Sequence, residues 1–293
     1  MCSPQVMERV RAEVSRRQVL GRLGAAGAIT ALGAVALSPR GAARQDAATP
    51  GAGAVASPAP IAAGGFTSIV DLSHVHGPEF PMYPGAQQMQ MNVLRTIEAD
   101  GFFKLELILD EHTGTHMDAP LHFDAAGISA EQIPVERLVA PLAVIDIAAR
   151  AASDPDAQVT PDDVLAWEAA NGPLPAGAFV AMNSGWAARV NDPTAYLNQD
   201  ADGLPHFPGF HLDATALLVG ERDIVGIGVD TVSLDFGAAT VFDTHLALLT
   251  AGKYGLENLA ALDQVPAVGA TIVVGGPMHQ GASGGPTRAF AFS

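Results

Sequence analysis

From residue 65 onward, short runs of apolar and β-branched residues recur, each four to eight residues long and bounded by turn formers. That length and bounding predict strands rather than helices, over 68–72, 103–109, 142–147, 178–183, 224–229, 271–274 and 288–292. Helical patterns fall between some of them. Thr160-Pro161-Asp162-Asp163 opens one, with a hydroxyl at the N-cap and proline in the first turn; it runs to Ala170 and stops at Asn171-Gly172. Two more are predicted over 213–220 and 242–250, the second ending at Ala251-Gly252. The alternation predicts an α/β class and one domain, with a mixed β-sheet core and flanking helices. It is too irregular for a doubly wound sheet. No glycine-rich phosphate loop follows a strand, so a nucleotide-binding fold has no support.

The pattern changes at the N-terminus. Ser15-Arg16-Arg17-Gln18-Val19-Leu20 precedes an Ala/Gly/Leu-rich stretch reaching Leu37. A basic head, a short apolar middle and small residues after it predict a signal peptide of twin-arginine type over 1–43. An Ala/Gly/Pro-rich linker over 44–64 then leads into the domain over 65–293. The apolar middle is shorter than the roughly 20 residues a spanning helix needs, so no stable membrane insertion is expected after processing. The expected location is periplasmic or extracellular. A twin-arginine route carries folded protein, which suits a metal loaded before export.

Charge and cysteine usage narrow the chemistry. Formal net charge is -16, and the first 57 residues carry seven of the basic side chains against three acidic ones, so the body is more acidic still. Such a body repels nucleic acid and anionic lipid. The one cysteine is Cys2, leaving no disulfide and no thiolate zinc site in the body. Any metal must be held by His, Asp, Glu, backbone or water.

Three histidines and an aspartate fall within eleven residues: His112, His116, Asp118 and His122. All share parity, so a straight strand would line them on one face. That strand would be about 33 Å long at roughly 3.3 Å per residue, too far for one ion. The chain must bend, and Gly114 and Pro120 are where it can. His116 and Asp118 can then chelate together, joined by His112 if Gly114 turns the backbone. Mixed imidazole and carboxylate donors suit zinc, manganese or iron(II). Thr-Gly-Thr between the first two histidines departs from the helical H-E-x-x-H pattern of a zincin. Asn183-Ser184-Gly185-Trp186 is not a G-x-S-x-G elbow; it reads as a strand end lining a pocket. Farther on, His245 and Glu257 could reach the same site, though spacing alone does not single them out.

The run His112-Thr-Gly-Thr-His116-Met-Asp118-Ala-Pro-Leu-His122-Phe resembles the signature of the cyclase-like family of metal-dependent hydrolases, which includes bacterial kynurenine formamidase and isatin hydrolase. The resemblance extends to Asp71-Leu72-Ser73 with Phe80-Pro81-Met82-Tyr83-Pro84-Gly85. It continues through Gly228–Asp235, His245 with Leu248-Leu249, Glu257-Asn258-Leu259 and Gly284-Gly285-Pro286-Thr287-Arg288-Ala289. It implies a swivelling β/β/α-like fold and one or two divalent ions, Zn or Mn. By the same resemblance His112, His116 and Asp118 are expected to bind the first ion, with Asp118 shared where there are two, and His245 and Glu257 to complete a second site. His122 becomes the proton donor and acceptor. Tyr83 stands where kynurenine formamidase has a substrate-contacting tryptophan, which argues against kynurenine chemistry. The implied activity is hydrolysis of a C–N amide bond in a small aryl or cyclic amide, with a lactone or ester hydrolase, or a dehydratase-type cyclase, as the alternative. A homo-oligomer, dimer or tetramer, is expected by analogy. A different class stays open: an exported metal- or solute-binding protein, which would have a closed ligand shell and no need of His122.

Overall fold

The computed structural model of the chain describes residues 65–293; the signal and linker read over 1–64 lie outside the described residues. Thirteen strands are found among the described residues, and nine form one mixed sheet in the order β1-β13-β11-β5-β7-β9-β10-β4-β12. They are β1 (Ile69–Asp71), β4 (His116–Asp118), β5 (Val139–Asp146), β7 (Ala178–Asn183), β9 (Ile224–Val229), β10 (Tyr254–Glu257), β11 (Ala270–Gly275), β12 (Gly284–Pro286) and β13 (Arg288–Phe292). Strands β5, β7, β9 and β10 run parallel at the centre, and every other pairing in this sheet is antiparallel. Strands β6 (Gln158–Val159) and β8 (Gly209–Phe210) pair apart, as do β2 (Gln90–Arg95) and β3 (Lys104–Ile108).

The period-2 pattern of the central strands explains the two layers. Val180 and Met182 of β7 pack with Val164, Trp167, Ala214, Leu218, Leu248 and Leu249. Those six residues lie on helices α1 (Pro161–Asn171), α2 (Leu212–Glu221) and α3 (Asp243–Thr250). The alternate residues Phe179 and Ala181 point the other way, into a second core with Leu142, Leu256, Ile272 and Ala291. All of β7 is buried, as expected for a parallel strand covered on both faces.

The predicted strands and helices are all present, within a few residues at their ends. Helix α1 has the capping box its sequence announces: the Thr160 hydroxyl accepts from Asp163 N, and Asp163 Oδ2 accepts from Thr160 N at 2.8 Å. The short strands β4, β10 and β12 carry no legible alternation, because three or four residues cannot show a period. The segment from Asn183 to Trp186 serves as a junction. Asp230 at the end of β9 accepts from the Ser184 N–H and hydroxyl and from the Trp186 N–H. Burial raises the Asp230 carboxyl to about 6 against the pull of those donors.

Candidate metal centre and active site

Strand β4 carries two of the expected ligands. His116 and Asp118 share one face, while Met117 between them enters the core. The antiparallel register with β10 places Glu257 opposite His116 and Gly255 opposite Asp118. On the other flank β12 places Pro286 opposite His116 and Gly284 opposite Asp118. Asp118 therefore sits between two glycines. A Cβ at Gly284 would run into the Met117 carbonyl oxygen and stand 2.6 Å from His112 Cε1, so its missing side chain both lets β12 lie close against β4 and leaves room for the His112 ring.

The two bends required by the spacing are both present. Gly114 has φ +65°, and a Cβ there would lie 2.8 Å from His76 Cγ. Its carbonyl accepts from His116 Nδ1 at 2.9 Å and from Asn258 Nδ2 at 2.8 Å. Thr115 Oγ1 donates to the Asn258 carbonyl at 2.6 Å and accepts from His74 N at 2.9 Å. The turn is thus pinned to the end of β10. After Asp118 the chain enters a 3-10 turn, Pro120–His122. That turn stacks the His122 ring on His112, with centroids 3.8 Å apart and planes 21° from parallel.

The side chains converge. His112 Nδ1 lies 2.7 Å and His116 Nε2 3.4 Å from Asp118 Oδ1. His116 Nε2 is 3.3 Å from Glu257 Oε2, and His245 Nε2 is 3.0 Å from Glu257 Oε1 and 3.7 Å from Asp118 Oδ2. The two carboxylates lie between histidines on either side. Ligand atoms of His116, Asp118 and Glu257 fall within 4.8 Å of one another, as do those of His112, Asp118 and His122.

His112, His116 and His245 are each oriented through the far nitrogen, the arrangement metal-binding imidazoles adopt. His116 Nδ1 faces the Gly114 carbonyl, and His245 Nδ1 faces Asp235 Oδ2 at 2.6 Å. His112 Nε2 faces Ser283 Oγ at 2.9 Å, and that hydroxyl donates in turn to Glu111. Asp235 and Ser283 are the partners of the site histidines that sequence reasoning missed. Asp235 ends the Gly228–Asp235 run, yet nothing in the chain links it to His245; Ser283 lies 171 residues from His112.

Whether a cation fits can be read from the polar atoms left over. His116 Nε2 and Asp118 Oδ2 are buried without a hydrogen-bond partner, an arrangement native proteins avoid unless something else satisfies it. Electrostatics agree. Burial disfavours charge on His116, yet Asp118, Glu257 and the Gly114 carbonyl outweigh it and hold the imidazole at about 9. His245 is likewise raised well above its usual value against burial, by Asp118, Asp235 and Glu257. Asp118 is held well below the carboxylate range because His116 and the hydrogen bonds from its neighbours overcome burial. The pocket demands positive charge between its carboxylates, and a divalent cation can supply it in place of protons. His122 behaves oppositely: burial pushes it down to about 4, with Asp118 opposing and the other histidines adding to the fall.

Aromatic rings wall the cluster. Phe123 stacks on His245 at 5.0 Å, and Phe242 stands edge-on to the same ring at 5.7 Å. Tyr83 lies 6.0 Å from Phe242. All seven residues singled out from the sequence are therefore gathered at one place.

A family model described as "Putative cyclase" matches residues 70–236. The chain belongs to the cyclase family. Within that family it is 35% identical over 244 residues to isatin hydrolase of Roseibium aggregatum, covering 78% of this chain and 92% of that protein. It is 28% identical over 201 residues to kynurenine formamidase of Salinibacter ruber, covering 68% and 85%. A solved isatin hydrolase bound to the product analogue thioisatinate superposes with a TM-score of 0.73 at 34% identity, over 77% of this chain and 92% of the other.

In this cyclase-family site the glycine beside Asp118 gives a sharp test. Gly284→Ala would drive a methyl group against the Met117 carbonyl of β4 and into the His112 ring without touching any charge. The expected result is a loss of about 10- to 100-fold in metal affinity, the range seen when ligand orientation is disturbed. Competition with a chelator measures it; wild-type affinity would show that His112 does not depend on this contact.

Proposed function

We propose that the chain is a metal-dependent hydrolase that opens the C–N bond of a small aryl or cyclic amide, with an isatin-type lactam as the favoured class. The observation that carries this reading is the juxtaposition of the His/Asp/Glu cluster with the aromatic wall of Phe123, Phe242 and Tyr83. The similarity to isatin hydrolase, spanning nearly all of that protein, supports it.

His112, His116, Asp118, His245 and Glu257 would hold zinc or manganese, as one ion or as two. In such a donor set a bound divalent ion acidifies a water and polarises a carbonyl oxygen. The chain's own groups do the rest. Phe123, Phe242 and Tyr83 bind the aryl ring by its faces and edges. His122 accepts the proton lost by the attacking water and returns it to the amide nitrogen as the C–N bond breaks, so hydroxyl ends on the acyl carbon and hydrogen on the nitrogen. Asp235 keeps His245, and the Ser283–Glu111 pair keeps His112, turned toward the carboxylates.

Purified protein loaded with Mn or Zn and offered isatin, N-formylkynurenine and an aryl lactone distinguishes the readings. Isatin is expected to be opened fastest. Faster turnover of N-formylkynurenine would make this a formamidase, and faster turnover of the lactone would make it an esterase-type member. Stoichiometric metal with no turnover of any of the three would favour the binding-protein reading instead.

A further inference from the structure

Asn258 follows Glu257 directly and closes β10 with a left-handed residue, φ 55°. It is buried, and every polar group it owns is engaged. Its N–H donates to the Thr231 carbonyl at 2.8 Å, and its own carbonyl accepts from Thr115 Oγ1 at 2.6 Å. Its side chain joins two further segments. Nδ2 donates to the Gly114 carbonyl at 2.8 Å, and Oδ1 accepts from the Tyr196 hydroxyl at 2.9 Å. The Gly114 carbonyl is the same group that accepts from His116 Nδ1, and an oxygen with two lone pairs takes both donors. Where that oxygen points depends on how the peptide between Gly114 and Thr115 is turned. A glycine at φ +65° does little by itself to fix it. Asn258 grips this peptide on both sides, holding Gly114 through its amide and Thr115 through its carbonyl.

Tyr196 fixes which way the amide faces. Turned over, the amide would set Oδ1 against the Gly114 carbonyl, two acceptors with no hydrogen between them. The Tyr196 hydroxyl, donating to Oδ1, holds the working orientation. Tyr196 lies on the short helix Pro193–Leu197, 62 residues from Asn258. It is itself held fast: it packs with Trp186, Phe207 and Val232, and its backbone carbonyl accepts from Trp186 Nε1 at 2.7 Å.

We propose that Asn258 and Tyr196 are positioning residues for His116, holding the Gly114 carbonyl that aims the imidazole Nε2 between Asp118 and Glu257. Their effect on metal rests on the reading of His116 as a ligand. The competing role for Asn258 is purely conformational, because asparagine enters the left-handed region more readily than most residues. Glycine enters it more readily still, so Asn258→Gly keeps the turn and removes the amide.

Two readings on the full chain test this: chelator competition for Zn or Mn, and NMR of the metal-free protein with isotope-labelled histidine. Asn258→Gly is expected to lower metal affinity about 10- to 100-fold, the cost of losing an outer partner of a ligand. Tyr196→Phe is expected to lower it by about threefold, the worth of one neutral hydrogen bond. The wild-type His116 Nδ1 proton, held on a buried carbonyl, should exchange slowly with water; in both variants it should exchange faster, by at least about tenfold in Asn258→Gly. A conformational or folding role alone would lower the melting temperature of the metal-free variants and leave both readings at wild-type values, which overturns the proposal. Loss of affinity with an unchanged ring proton, or the reverse, overturns it as well, since both follow from one displaced carbonyl. Should Asn258→Gly not fold, Tyr196→Phe decides by the same two readings. Wild-type protein with a protected ring proton and no affinity for either ion would instead remove the metal reading, and the ring proton of the variants would then decide whether His116 is held in this way.

Discussion

Asp118→Asn is expected to strip the protein of its metal and of its turnover together. The carboxylate is fully buried, one oxygen 2.7 Å from His112 Nδ1 and the other without any hydrogen-bond partner. It also lies between the His112/His116 pair and His245. An amide of the same shape removes the negative charge and turns an N–H donor toward imidazole nitrogens that would otherwise face a cation. Loss of an outer partner of a ligand commonly costs 10- to 100-fold in affinity, so loss of this central ligand should cost at least about 100-fold. Two measurements check it. Metal content by elemental analysis should fall to background. The wild-type rise in thermal stability on adding metal, worth about 2.7 kcal/mol at a free concentration 100 times Kd, should vanish in the variant. A variant keeping stoichiometric metal and more than a tenth of wild-type turnover would remove Asp118 from the centre of the site.

His122→Ala is expected to separate chemistry from binding. The ring stacks on His112 and stands 6.0 Å from His245, beside the ligand cluster. If it carries the proton between the attacking water and the leaving nitrogen, its removal should lower kcat by about 10²- to 10⁴-fold, the usual worth of a positioned acid–base group. KM should change much less, and metal content should stay at the wild-type level. The competing role is concrete, because His112, Asp118 and His122 also lie close enough to hold an ion together. Metal lost along with activity would make His122 a ligand and leave the proton step to another group. Full turnover in the variant would end the acid–base assignment.

Much of the fold was legible because its central strands are long enough to show a pattern. Residues 178–183 and 224–229 were bounded to the residue, since a parallel strand buried on both faces is a continuous apolar run between turn formers. Helix α1 was legible from its cap, because Thr160, Pro161 and Asp163 satisfy the first free N–H groups through local contacts alone. The short strands around the site were not. Strand β4 is three residues long, and its His-Met-Asp carries no strand propensity. Its extended form comes from being hydrogen-bonded between β10 and β12, both more than 130 residues away in the chain.

The candidate site divides along the same line. The sequence by itself determined that His112, His116, Asp118 and His122 form one cluster, that the chain must bend at Gly114 and Pro120, and that no thiolate takes part. These are consequences of composition, parity and the fixed rise of a strand. Only the tertiary structure decided that Glu257 stands opposite His116, that Gly255 and Gly284 flank Asp118, and that Asp235 and Ser283 turn His245 and His112 inward. The physical reason is register. A one-residue slip of β10 against β4 would send Glu257 to the opposite face, and a slip of β12 would move Gly284 away from Asp118; a register between distant strands is set by the packing of the whole sheet, which no local stretch of sequence records.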